Sequence, residues 1–159
     1  MSHEIFFFRT ISFLSWMVGK QDSMNTAVVF TSKFGATQTT AEYIAKALNA
    51  ELIDLRQRSP ALIGYDMIIF GSGIYMGKMP RSMRTFIGNH LHEIKDKKVA
   101  VFVCCTFDGD KAEKQLALAT EFMGNLVARS FMCNRHKGEI GIDIESTDFF
   151  IKTIELVQQ

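Results

Sequence analysis

The chain reads as an α/β domain: a doubly wound, open parallel sheet of five strands in the order 2-1-3-4-5, with helices on both faces. Three observations predict it. Wholly apolar runs at residues 27–30 (AVVF), 67–70 (MIIF) and 99–105 (VAVFVCC) are too short for helices and suit strands buried on both faces. Between them, apolar residues recur at three- and four-residue spacing, drawing helical stripes. Strands that alternate with helices pair in parallel and leave helices on both sides of the sheet.

In chain order, the run at 27–30 is the first strand, and Ala41, Ile44, Ala45 and Leu48 mark the helix after it. Glu42, three residues beyond Thr39, completes a capping-box pattern at its start. Residues 51–55 (ELIDL) alternate polar and apolar, which predicts a short second strand, and Pro60 is placed to open a brief helix. The third strand, 67–70, feeds a glycine-bearing loop at 71–79, and Pro80 opens a helix with Met83, Phe86, Ile87, His90, Leu91 and Ile94 on one broad face. The fourth strand, 99–105, runs into the loop at 106–110. Residues 111–129 carry Leu116, Ala119, Phe122, Met123 and Leu126 at helical spacing. A fifth strand is expected within 131–142, centred on Gly138, Glu139 and Ile140, and Phe149, Phe150, Ile151, Ile154 and Val157 predict a closing helix.

Composition bounds the function. At 159 residues, 47% of them hydrophobic, the chain makes one globular domain. A net charge of +1, from 18 basic and 17 acidic residues, supplies no bulk field for nucleic acid. The 4 histidines and 3 cysteines show no metal-ligand spacing, and an odd cysteine count without a disulfide framework suits a reducing cytoplasm. Residues 1–23, with Phe6, Phe7, Phe8 and the sole tryptophan Trp16, differ from the rest. They are expected to lie outside the fold as an extension, with the domain proper at 24–159. The alternative is a peripheral membrane contact through the aromatics, since the apolar run is too short to span a bilayer.

The chemistry is expected at the loops after strands one, three and four. In this strand order those strands are neighbours, and ligands of open α/β sheets sit beyond the carboxyl ends near the switch in order. The first loop offers Thr31, Ser32 and Thr37 hydroxyls and Gly35 at a helix N-terminus, a setting for a phosphate monoester. No Gly-Lys-Ser/Thr follows, which disfavours a nucleoside triphosphate. Tyr75 and Phe107, in the other two loops, are aromatics able to lie against a flat ring system. Lys33 and Lys78 either add charge near the phosphate or are simply exposed. Cys104 and Cys105 are either a redox pair or small apolar fillers at a strand end. Two apart on a helix, His90 and His92 point to different sides and form no metal pair, His90 partly buried and His92 solvated.

Three segments, FTSKFGAT, YDMIIFGSGIYMG and KKVAVFVCC, together resemble the flavodoxin family, and within it the branch that contains the menaquinone-dependent protoporphyrinogen dehydrogenases. The resemblance implies non-covalent FMN, with its phosphate held by Thr31, Ser32, Phe34, Gly35, Ala36 and Thr37. It places Gly73, Ile74 and Tyr75 at one edge of the isoalloxazine and Thr106, Phe107, Asp108 and Gly109 at the other, with no catalytic side chain and no metal assigned. The implied function is an FMN-dependent oxidoreductase, cytoplasmic or membrane-peripheral, that meets a redox partner or a quinone and porphyrin substrate pair. Two alternatives stand beside it: a flavodoxin-type electron carrier without its own substrate, and a flavin-free interaction module. The protoporphyrinogen-oxidising relatives continue into a further amphipathic helix where this chain stops at Gln159, which leaves room for a homodimer. Electron-shuttling flavodoxins resemble one another in being strongly acidic, and a charge of +1 departs from that pattern.

Overall fold

In a computed structural model, which describes residues 24–107, 109–127, 129–134 and 142–158, five parallel strands form one sheet. They are β1 (Thr26–Phe30), β2 (Glu51–Asp54), β3 (Met67–Gly73), β4 (Lys98–Cys105) and β5 (Arg129–Asn134), in the order β2-β1-β3-β4-β5. The helices are α1 (Ala36–Leu48), α2 (Arg81–Asn89), the single turn α3 (Leu91–Ile94), α4 (Gly109–Thr120) and α5 (Ile144–Gln158), and a 3₁₀ segment (Glu121–Leu126) follows α4. The predicted class and strand order both hold.

Strand alternation divides the core in two. Val28, Phe30, Met67, Ile69, Ala100, Phe102 and Cys104 face α1 and α5, which contribute Ala41, Ile44, Phe150, Ile151 and Ile154. Val29, Ile68, Phe70, Val101 and Val103 face α2, α3 and α4, with Met83, Phe86, Ile87, Ile94 and Ala119. Tyr43 of α1 donates to the Asp148 carboxylate of α5 at 2.7 Å, tying the two helices of one layer together.

Several boundaries differ from expectation, each for a local reason. β3 continues through Gly71, Ser72 and Gly73, expected as loop, because these pair in register with Phe102, Val103 and Cys104 of β4. Gly71 is a packing requirement: a Cβ there would stand 2.1 Å from Cζ of Phe102, whose ring lies across it. No capping box forms. Gly35, at φ 93°, caps α1 without a side-chain bond, and the Thr39 hydroxyl donates back to the Gly35 carbonyl at 3.0 Å. No helix follows Pro60; the connection is an irregular run pinned by buried Leu62. The broad helix after Pro80 breaks at His90, whose ring stacks on Phe86 with centroids 4.2 Å apart and whose Nδ1 lies 2.7 Å from the Phe86 carbonyl oxygen. His90 is half-buried and His92 exposed, as read from their spacing. The helix after β4 ends at Thr120, and Gly124, at φ 55° and ψ −129°, interrupts the 3₁₀ segment that replaces its expected continuation. β5 begins at Arg129, earlier than expected, while Gly138, Glu139 and Ile140 lie outside the described residues, as does the 1–23 extension. Among the described residues no helix is long and apolar enough to cross a membrane.

Candidate functional site

The carboxyl ends of β1, β3 and β4 lie side by side, so the loops that leave them form one rim. Pairing of β1 with β3 runs one residue past the strand, Thr31 N–H donating to the Gly71 carbonyl at 3.0 Å. The chain then turns into α1. Ser32 Oγ accepts from the Gly35 N–H at 3.0 Å, which closes the turn, and Gly35 supplies the left-handed backbone that a side chain would strain. The first helical bond joins Thr39 N–H to the Gly35 carbonyl, so the amides of Ala36, Thr37 and Gln38 precede it at the positive end of the helix.

Within this turn Thr31, Ser32 and Thr37 are all buried, at 7%, 4% and 4% exposure. Ser32 is engaged by Gly35. The hydroxyls of Thr31 and Thr37 bond to no other described residue. Their oxygens keep access to solvent, since the buried side-chain polar atom without a partner among the described residues is Ser72 Oγ of β3. Two such hydroxyls beside a helix N-terminus are the donor set a phosphate monoester takes. Phe34, the aromatic of the turn, is 69% exposed.

The second loop is joined to the first. The Tyr75 ring meets Phe34 edge to face, with centroids 6.5 Å apart, and Lys33 Nζ lies 5.3 Å from the Phe34 centroid and 5.8 Å from that of Tyr75. Ile74 N–H donates to the Cys104 carbonyl at 3.2 Å, holding the loop to the end of β4. Tyr75 and Lys78 exchange backbone bonds of 2.9 and 3.1 Å around Met76 and Gly77, which have φ of 52° and 76°. Positive φ at both central residues makes a primed hairpin turn, where Asn-Gly is the favoured pair. Gly73 belongs to β3, and the Tyr75 hydroxyl folds back to within 3.1 Å of where its Cβ would be. The aromatic surface this loop presents is therefore Tyr75 itself.

At the third loop, Thr106 and Phe107 are exposed, and the Phe107 N–H points to Cys105 Sγ at 3.4 Å. Gly109, at φ 57°, opens α4, and Asp108 lies outside the described residues. Cys104 and Cys105 are both buried, and as strand neighbours they face opposite sides of the sheet, which removes the redox-pair reading and leaves apolar filling.

Residues that the sequence did not single out complete the rim. Lys111 Nζ sits 4.1 Å from the Phe107 centroid, and Gln115 and Leu118 lie 3.4 and 3.6 Å from where a Cβ on Gly77 would be. Their 111/115/118 spacing, one face of a helix directly after the third loop, is the signal that could have found them. Two cavities, of about 350 and 710 Å³, open at the amino ends of the strands around Thr26, Glu51, Tyr65 and Lys98, and hold none of the predicted site residues. Groups with perturbed protonation lie at the amino end of β2, at Glu51, and at its carboxyl end, at Asp54, which pairs with Phe30 one residue before the first loop. Glu51 is held below the ordinary carboxylate range by the Tyr65 hydroxyl and then by Arg58, and Asp54 by Arg56.

Known proteins share this fold. The flavodoxin domain family matches residues 27–153. A protein of Methanocaldococcus jannaschii is 44% identical over 52 residues, 32% of this chain, and the match spans 35% of the length of that curated relative. The crystal structure of a flavodoxin, a WrbA-like protein from Agrobacterium tumefaciens, superposes with a TM-score of 0.64 at 22% identity, covering 86% of this chain and 98% of that one. Rubredoxin oxygen:oxidoreductase from Desulfovibrio gigas superposes at 0.67 with 11% identity, over 86% of this chain and 36% of the larger one. Identities this low speak for the fold, while the family match covers most of the sequence. The chain belongs to the flavodoxin domain family, whose cofactor is FMN.

Proposed function

We propose that this chain is an FMN-dependent oxidoreductase. The phosphate is held in the β1–α1 turn by Thr31, Ser32, Phe34, Gly35, Ala36 and Thr37, through the two hydroxyls without protein partners and the leading amides of α1. Tyr75 and Phe107, exposed in their two loops, are the aromatics that would lie against the flat ring, with Ile74 beside Tyr75. When bound, FMN supplies the redox chemistry, and the chain positions it and tunes it through loop backbone. The observation that carries this reading is the pair of Thr31 and Thr37 hydroxyls, free of protein partners and open to solvent beside the leading amides of α1. Within that activity we assign protoporphyrinogen as reductant and a quinone as acceptor, on the strength of the motif resemblance.

The test is an anaerobic assay of the FMN-loaded protein with protoporphyrinogen and a menaquinone analogue. Porphyrin fluorescence should appear, and should fall to background in Thr37→Val and Gly35→Val. A flavin-loaded wild type that yields no porphyrin above those controls would remove the substrate assignment and leave an electron carrier.

A further inference from the structure

We propose that residues 1–23 of this chain lie along the outer face of α5 and cover it, a docking that stands apart from the FMN reading. α5 is apolar on two opposite sides. Phe150, Ile151 and Ile154 are buried against the sheet. On the far side Phe149 and Leu156 stand 71% and 70% exposed, with exposed Glu145 and Lys152 on the same stripe. At about 100° per residue these four fall within roughly 60° of one another, about half a turn from the buried side. A surface helix carries one apolar stripe toward the core and a polar one opposite it, so a second apolar stripe marks a second contact.

The chain itself supplies the occupant. Met24 packs against the core layer beneath α1 and α5, and Thr26 Oγ1 accepts from the Gln158 side chain, in the last turn of α5, at 3.1 Å. The segment before Met24 therefore joins the fold at the carboxyl end of α5, the end at which Leu156 stands. The smaller of the two cavities, lined by Met24, Thr26, Leu48 and Gln158 among others, opens at the same corner. The stretch FFFRTISFLSWMV at 6–18 is mostly apolar or aromatic, and Gly19 with the polar run Lys20-Gln21-Asp22-Ser23 links it to the domain. Even at the rise of a helix, about 1.5 Å per residue, 6–18 reaches about 20 Å, and α5 is about 22 Å long. The size of the stripe favours a tethered segment over a second copy. Phe149 and Leu156 leave on the order of 250 Å² of apolar surface open, whereas each partner in a stable pair of chains buries about 800 Å². A tether holds its segment at millimolar effective concentration, which suits a contact of this size. Glu145 and Lys152 cancel, so the stripe offers an anionic bilayer no net charge.

Trp16, the sole tryptophan, reports the contact in the full chain without a label. In dilute protein its emission should be blue-shifted and shielded from acrylamide, and trypsin should cut slowly after Arg9. Phe149→Asp/Leu156→Asp, folded by circular dichroism, should lose the blue shift. Cleavage after Arg9 should then rise at least about tenfold, because it follows the undocked population. Phe149→Leu/Leu156→Met keeps the stripe apolar and should keep both signals. Water-exposed Trp16 emission in the wild type would overturn the proposal, as would a blue shift that the Asp pair leaves intact. Light scattering and added lipid separate the other occupants. A blue shift that vanishes as a dimer dissociates on dilution would give the face to a second copy. One that appears only with phosphatidylglycerol vesicles would give the segment to a lipid surface, and either result would overturn the proposal.

Discussion

Gly71→Ala tests the packing that sets the ends of β3 and β4, and with them the second and third loops. The new methyl would stand 2.1, 2.3 and 2.8 Å from Cζ, Cε1 and Cε2 of Phe102. Carbon contacts settle at about 3.5–4.0 Å, so the ring must retreat by more than about 1 Å. It has nowhere to go: Phe102 is fully buried between Gly71 and the α1–α5 layer. Overpacking costs about 1–3 kcal/mol, and this site belongs at the upper end. The urea midpoint should then fall by about 1–2 M for ordinary values of m. Phe102→Leu removes the three ring atoms in question and costs about 1–2 kcal/mol by lost burial. In that background Gly71→Ala should cost less than about 0.5 kcal/mol, a coupling of about 2 kcal/mol in the double-mutant cycle. Costs that add within about 0.5 kcal/mol would show that the ring does not lie across the glycine.

Met76→Asn replaces a bulky residue at φ 52° with one suited to the primed turn, and should raise stability by about 0.5–1 kcal/mol in urea unfolding. An unchanged or lower midpoint would contradict the turn assignment. Acid should weaken the fold through Glu51 and Asp54. Both carboxyls are depressed in the folded state, so their contribution is complete above the unfolded values of 4.5 and 3.8 and is lost as pH falls below them. The Glu51 share is small, because that pair faces solvent, and Glu51→Gln should flatten part of the urea-midpoint slope between neutral pH and about pH 3. A slope as steep in Glu51→Gln as in wild type would refute that source.

The fold was legible in the sequence because its central strands are buried on both faces and their apolar runs stand alone. Boundaries were less so where tertiary pairing overrode local signals. Gly71-Ser72-Gly73 looks like a loop by composition, yet pairs with β4 because Phe102 needs the missing side chain at Gly71. The capping box failed because Gly35 takes the left-handed position and the Thr39 hydroxyl turns back to it. The first loop's hydroxyls were visible in the chain, but that Ser32 closes the turn while Thr31 and Thr37 stay available is a matter of geometry. The contribution of α4 was hidden because Lys111, Gln115 and Leu118 look like an ordinary helix face until the hairpin at Gly77 is placed against them.

The most direct measurement is a pair of titrations, FMN and riboflavin, of the purified protein, followed by flavin fluorescence. The two ligands share the ring and differ in the phosphate. If the β1–α1 turn is a phosphate cradle, FMN should bind at least about a hundredfold tighter than riboflavin, from two or more charge-assisted hydrogen bonds. Thr37→Val should erase much of that difference. Equal affinities for the two flavins, or a difference untouched by Thr37→Val, would contradict the account.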